Sequence, residues 1–114
     1  MPSNQYPIDN EPLTVEEVVN CFKERWGVSY DIQIVVRNKS LYLQIMWGYL
    51  EQQSFPLKYE SYLNKINYVI EIVNRTGQSF YVRDWINNVN SRPRIGRPLT
   101  LPLRTDESSM EYMI

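Results

Sequence analysis

Histidine is missing from this 114-residue chain, and cysteine occurs once, at Cys21. The first absence removes the commonest general base and the commonest metal ligand. The second excludes an internal disulfide, iron–sulfur ligation and thiolate zinc sites, all of which need several sulfurs. No Asp-rich loop has the spacing of a calcium or magnesium site, and neither a glycine-rich phosphate loop nor a G-x-S-x-G elbow is present. The expectation is therefore of no metal, no cofactor and no catalytic residues. No apolar run reaches eighteen residues, so no membrane span is expected. Residues 1–13 are polar and proline-containing, without the basic and apolar regions of a signal peptide or the arginine content of a transit peptide. The expected compartment is the cytoplasm in which the chain is made.

What is present suits one small globular domain. Hydrophobic residues make up 43% and aromatics 13%, enough for a core and too much for wholesale disorder. The expected division is a flexible lead-in over 1–13, one α+β domain over 14–104, and an acidic flexible tail over 105–114. Thr14 and Glu17 have capping-box spacing, with the Thr14 hydroxyl serving the Glu17 amide and the Glu17 carboxylate returning to the Thr14 amide. Val15, Val18, Val19, Phe22 and Trp26 then form a helical stripe that Gly27 stops. Tyr30 to Arg37 and Ser40 to Trp47 alternate around the two-residue turn Asn38-Lys39, which fixes a hairpin register. Val36 faces Leu41, Ile34 faces Leu43, Ile32 faces Ile45 and Tyr30 faces Trp47, with all eight on one apolar face.

Pro56 suits the first turn of a long helix with Tyr59, Tyr62, Leu63, Ile66, Val69, Ile70 and Val73 on its apolar side, ended near Gly77. Tyr59, Tyr62 and Tyr68 are expected to pack in or at the edge of the core. A shorter helix is predicted over Ser79 to Asn90. Leu99, Leu101 and Leu103 then alternate with Thr100 and Pro102 as an edge strand whose prolines face solvent. It is expected to join the hairpin in a three-stranded sheet.

The segment from Arg92 to Leu103 holds three arginines, three prolines and a glycine in twelve residues. Between Ser79 and Thr105 five arginines stand against one aspartate, while the whole chain carries −1. Arg92, Arg94, Arg97 and Arg104 are the candidate binding residues, since guanidinium groups grip phosphate or carboxylate in a bidentate way that lysine does not. The competing reading has Arg92, Arg94 and Arg97 capping carbonyls at the end of the third helix and pairing with nearby acids. Gly96 is expected at a positive φ, aiming the arginines. On the hairpin's second face Val35, Tyr42 and Met46 are a candidate apolar partner patch, provided no helix covers them. Cys21 reads as a small buried hydrophobe. Glu16 and Glu17 point in different directions and read as capping, not as an acid–base pair.

Trp26-Gly27 closing the first helix, Leu41-Tyr-Leu-Gln-Ile-Met-Trp47 in the hairpin, and the Arg92–Leu103 segment together carry a resemblance. The chain resembles a domain-of-unknown-function family of small proteins from cyanobacteria and plant plastids, over about Leu13 to Leu103. The resemblance implies a compact α+β fold of unusual topology and residence in cyanobacterial cytoplasm or, for plastid relatives, stroma. It implies no activity and transfers no site residues.

The expected function is a non-catalytic protein-interaction module, such as an assembly or accessory factor for a larger, photosynthesis-related complex, whose partner is another protein. One alternative is a nucleic-acid-binding module using the arginine rim. A sequence pI near 5.4 and the lack of aromatics interleaved with the arginines argue against it. The other is a small enzyme or carrier for an anionic metabolite held by Arg94 and Arg97, which needs a concave pocket beside the cluster.

Overall fold

The computed structural model describes residues 11–104; the expected tail over 105–114 and all but the last three residues of the expected lead-in lie outside them. In chain order the elements are α1 (Val15–Trp26), β1 (Tyr30–Arg37), β2 (Ser40–Tyr49), α2 (Tyr59–Arg75), α3 (Ser79–Asn88) and β3 (Leu99–Pro102). The sheet is antiparallel with order β1-β2-β3, so the α+β architecture and the return of the last strand to the hairpin are as the pattern predicts.

α1 begins where Thr14 Oγ1 accepts the Glu17 amide at 3.1 Å, and it ends at Gly27 with φ 84°. The reciprocal half of the expected box is replaced. The Glu17 carboxylate is taken by Arg83 of α3, in an ion pair that ties the start of α1 to α3. The lead-in is also anchored at its last residue. Leu13 is buried, and its main-chain N–H and C=O are both held by the Asn74 side-chain amide at 2.8 and 3.0 Å. Asn74 thereby gives Leu13 the hydrogen-bond pair that a neighbouring strand would supply.

The hairpin turns on Asn38 and Lys39, both left-handed at φ 52° and 66°, the primed turn whose twist matches the strands. Pairing follows the expected register from Arg37↔Ser40 to Ile32↔Ile45. The fourth core-face pair is different: Tyr30 faces Tyr49, not Trp47, because a bulge in β2 shifts the register between Ile32 and Tyr30. The main-chain bond from Leu50 to Ser29 at 2.9 Å and the Glu51 carboxylate on Ser29 fix this shifted end. Ile32, Leu41, Leu43 and Ile45 are buried, whereas Val36 is 50% exposed because the hairpin tip overhangs the helices.

α2 starts at Tyr59, three residues later than Pro56 suggests. Phe55 is seated edge-on against Tyr62 with ring centroids 6.1 Å apart, after a turn closed by Phe55 N–H to the Gln52 carbonyl. The chain needs residues 56–58 to climb from that anchor to the helix axis. α2 buries Tyr62, Ile66, Val69, Ile70 and Val73. Tyr59 and Tyr68, expected in or beside the core, are both 64% exposed; they fall on the flanks of the stripe, beyond what the sheet can cover. α3 ends at Asn88, not Asn90, with Val89 already extended. Its Val82 and Ile86 complete the core with Val18 and Phe22 of α1 and with Leu101 and Leu103 at the β3 end.

Candidate interaction surface

The arginine segment begins where α3 stops. Four carbonyls at a helix end lack intrahelical donors, and here the cap comes from α1. Arg25 donates to the Ile86 carbonyl at 2.9 Å and to the Val89 carbonyl at 2.5 Å. The alternative role considered for Arg92, Arg94 and Arg97, capping that helix end, is thus filled by a residue not among the candidates. Arg92 instead donates to the Tyr30 hydroxyl at 3.1 Å. Tyr30 belongs to a row of rings in which Phe22, Trp26, Tyr30, Tyr49 and Trp47 follow one another at centroid spacings of 5.9, 5.7, 5.9 and 6.2 Å. Arg92 therefore fastens the segment to the aromatic end of the core, and buried Pro93 holds it there.

Beyond Pro93 the chain closes on itself. Arg94 and Arg97 exchange both main-chain hydrogen bonds, at 2.9 and 3.2 Å, around Ile95 and Gly96. Gly96 stands at φ 71°, as a type II turn requires of its third residue. This leaves Ile95 projecting from the tip, 74% exposed, between two arginines. Among the described residues neither Arg94 nor Arg97 has an acidic partner; the ion pairs there are Lys23–Glu51, Lys65–Asp31 and Arg83–Glu17. Beside the turn lies an open cleft of about 360 Å³ lined by Ser91, Arg92, Arg94, Arg97, Pro98 and Leu99.

The structure does not bring Arg104 to this place. Its guanidinium lies over the Tyr81 ring at 4.9 Å, and its main-chain N–H donates to Gln78 Oε1 at 2.6 Å, both at the start of α3. The candidate set therefore reduces to Arg92 as a tether and Arg94 and Arg97 as available guanidinium groups.

The expected partner patch is also altered. Val35 and Tyr42 are direct cross-strand neighbours and, like Met46, are half-buried. Between the Val35–Tyr42 row and Met46 runs a polar rung. Gln33 donates to Gln44 at 3.0 Å, and Gln44 donates on to Thr100 Oγ1 at 3.2 Å, so the three strands are laced by amides across this face. Gln44 is 8% exposed yet satisfied. The polar rung thus lies between Met46 and the Val35–Tyr42 row.

Elsewhere, a groove of about 480 Å³ runs between α1 and α2, lined among others by Val15, Val19, Lys23, Tyr59 and Leu63. Among the described residues no three His, Cys, Asp or Glu side chains gather as a metal site. Cys21 is buried as expected, its Sγ 3.5 Å from the Ile86 carbonyl. Burial pushes its thiol above the ordinary value, against a smaller opposing effect of Arg25. Glu51 behaves oppositely. Burial resists its ionisation, but hydrogen bonds from the Ser29 amide and hydroxyl, both 2.8 Å, prevail and hold the carboxyl below its usual range.

The model of a domain of unknown function, DUF3067, matches residues 16–113. The chain belongs to this family. The solution NMR structure of the Alr2454 protein from the cyanobacterium Nostoc sp. strain PCC 7120 is similar over 90% of this chain and 98% of that one, with 32% identity and a TM-score of 0.78. No curated protein matches the chain. Among the described residues no helix is long and apolar enough to cross a membrane. Family membership thus brings the fold, and the chemistry of the surface has to be read from the side chains above.

Proposed function

We propose that this chain is a non-catalytic protein-interaction module that docks through the Arg94–Arg97 turn, inserting Ile95 into an apolar socket rimmed by carboxylates on a larger complex. The observation that carries this is the exposed aliphatic tip on a closed turn, flanked by two arginines that have no acidic partner among the described residues. Arginine is enriched among interface hot spots, and an aliphatic side chain seated in a pocket can serve as their central anchor. The main-chain bonds of the turn and the Arg92–Tyr30 tether pre-order it, so little freedom is lost on docking. The role that suits such a device is an accessory or assembly factor acting in the cytoplasm, with photosynthetic complexes the first to test given the cyanobacterial relative.

Burying an isoleucine side chain is worth about 1.5–3 kcal/mol. Ile95→Ser should therefore weaken the contact at least about tenfold, since each 1.4 kcal/mol is a factor of ten, while leaving the melting temperature unchanged. The double variant Arg94→Gln/Arg97→Gln should lose the same partner. Retention of every partner by both variants overturns the reading. A carrier for a small anion is the second reading, favoured by the cleft beside the arginines. Calorimetric titration with inorganic phosphate separates the two. Binding that survives Ile95→Ser and disappears in the arginine variant supports the carrier.

A further inference from the structure

The two edges of the sheet are treated differently. In a two-residue hairpin the residues flanking the turn form a hydrogen-bonded pair, so Arg37, Val35 and Gln33 direct their main-chain groups toward β2. Ile32, Ile34 and Val36 direct theirs outward. The same count along β3, checked by the Leu103 N–H bond to the Leu41 carbonyl, turns Pro98, Thr100 and Pro102 outward. On that edge two of three outward residues have no N–H, and the Pro102 carbonyl is occupied by the Tyr81 hydroxyl at 2.8 Å. The β3 edge thus keeps one outward N–H, that of Thr100.

The β1 edge is closed over half its length. The Tyr30 carbonyl accepts the Tyr62 hydroxyl at 2.8 Å, and the Ile32 N–H is taken by Asp31 Oδ1 at 2.9 Å, with Lys65 of α2 on the other Asp31 oxygen at 2.7 Å. Among the described residues nothing comparable covers the rest. Among the described residues the Ile32 carbonyl, both main-chain groups of Ile34 and both of Val36 have no partner strand, and Val36 is 50% exposed.

We propose that this open edge pairs with its equivalent in a second copy of the chain, antiparallel about a two-fold axis through Ile34, to make a continuous six-stranded sheet. The sequence Asp31-Ile-Gln-Ile-Val-Val-Arg37 is self-complementary about that centre. Ile34 meets Ile34 of the second copy, Val36 meets Ile32, and Arg37 meets Asp31, so each end carries an opposite-charge pair. Four main-chain hydrogen bonds form from groups that are free in one copy: two between the Ile34 residues, and two from Val36 N–H to the Ile32 carbonyl. No existing bond of Asp31 or Tyr62 has to break. The axis also sets the bare hairpin tip of one copy beside the α2-covered end of the other, which covers the exposed Val36. Such a dimer presents two Arg94–Arg97 turns, and a complex offering two sockets would bind it with avidity. The pairing does not depend on how those turns are used.

The test is sedimentation equilibrium on the full chain from micromolar to millimolar concentration, in wild type, Val36→Pro and Arg37→Asp. Proline at 36 removes only an outward N–H, so the fold, followed by circular dichroism, should persist while the dimer is lost. Arg37→Asp sets like charges opposite one another and should weaken the dimer about tenfold or more. In mixed-label NMR of the wild type, the Hα protons of Gln33 and Val35 should show an intermolecular contact, the signature of this register. A monomer at every concentration overturns the proposal. So does a dimer indifferent to Val36→Pro while the variant stays folded, or one lacking the Gln33–Val35 contact.

Discussion

Replacing Tyr62 by Phe removes one oxygen from the centre of the molecule. Tyr62 is fully buried, and its hydroxyl donates to the Tyr30 carbonyl at 2.8 Å, in a residue itself 1% exposed. The ring and its contact with Phe55 remain, so the change isolates the hydrogen bond. Leaving a buried acceptor unsatisfied costs about 1–3 kcal/mol. For a domain of this size each kcal/mol moves the melting temperature by roughly 4–8 °C. A second signature follows from ionisation. Burial, and then the neighbouring Asp31 and Glu51 charges, push the phenol well above its ordinary value of 10.0. The unfolded chain therefore loses this proton near pH 10 while the native protein keeps it. Stability from this group is complete below that pH and declines above it as the unfolded state ionises. By pH 11 the decline attributable to Tyr62 is about 1.4 kcal/mol, one unit of linkage. Urea unfolding of both proteins at pH 7 and pH 11 should show the wild-type advantage shrinking by about that amount, since the other titrating groups are common to both. An advantage below about 0.3 kcal/mol at pH 7, or one that is constant between the two pH values, would refute the placement of this hydroxyl.

Two further outcomes are expected. Because Ser29 holds the Glu51 carboxyl below its usual range, the stabilisation from this group is present above the unfolded value of about 4.3 and fades as pH falls through the folded one; Glu51→Gln should flatten the acid limb of a stability–pH curve measured by thermal melts. Cys21, buried with a raised thiol pKa, should resist a thiol reagent such as dithionitrobenzoate in the native protein at neutral pH and react at once in denaturant.

The hairpin was legible because two independent signals, a two-residue turn and strict alternation, agree from Arg37 back to Ile32. They fail at Tyr30 because the bulge is set by Ser29 and Glu51, which belong to loops and carry no period. The capping-box spacing holds for Thr14 and not for Glu17, since nothing near Glu17 in sequence announces Arg83, 66 positions away. Arg25 and Asn74 carry no local signal for the same reason; each serves main-chain groups 61 residues distant. Tyr59 and Tyr68 misled because tyrosine suits both a core edge and water, and helical spacing alone does not give the width of the surface beneath. Of the candidate site, Arg94, Arg97 and the Gly96 turn stand together, whereas Arg104 was included on proximity in sequence. Ile95 carried no weight in the pattern because a lone apolar residue between arginines looks like noise until the turn is seen to push it outward.

Pro102 in β3 and Pro98 just before it have a bearing on how far this molecule can build. A sheet that accepts a neighbour readily on one side only acts as a chain terminator: once β1 is occupied, by whatever strand, a further unit finds a poor template on the far side. Exposed pairing sites normally threaten runaway polymerisation into fibres. Here the two missing amide protons and the Tyr81 hydroxyl leave the far side a single outward donor, on Thr100, so growth there should be strongly disfavoured after one addition.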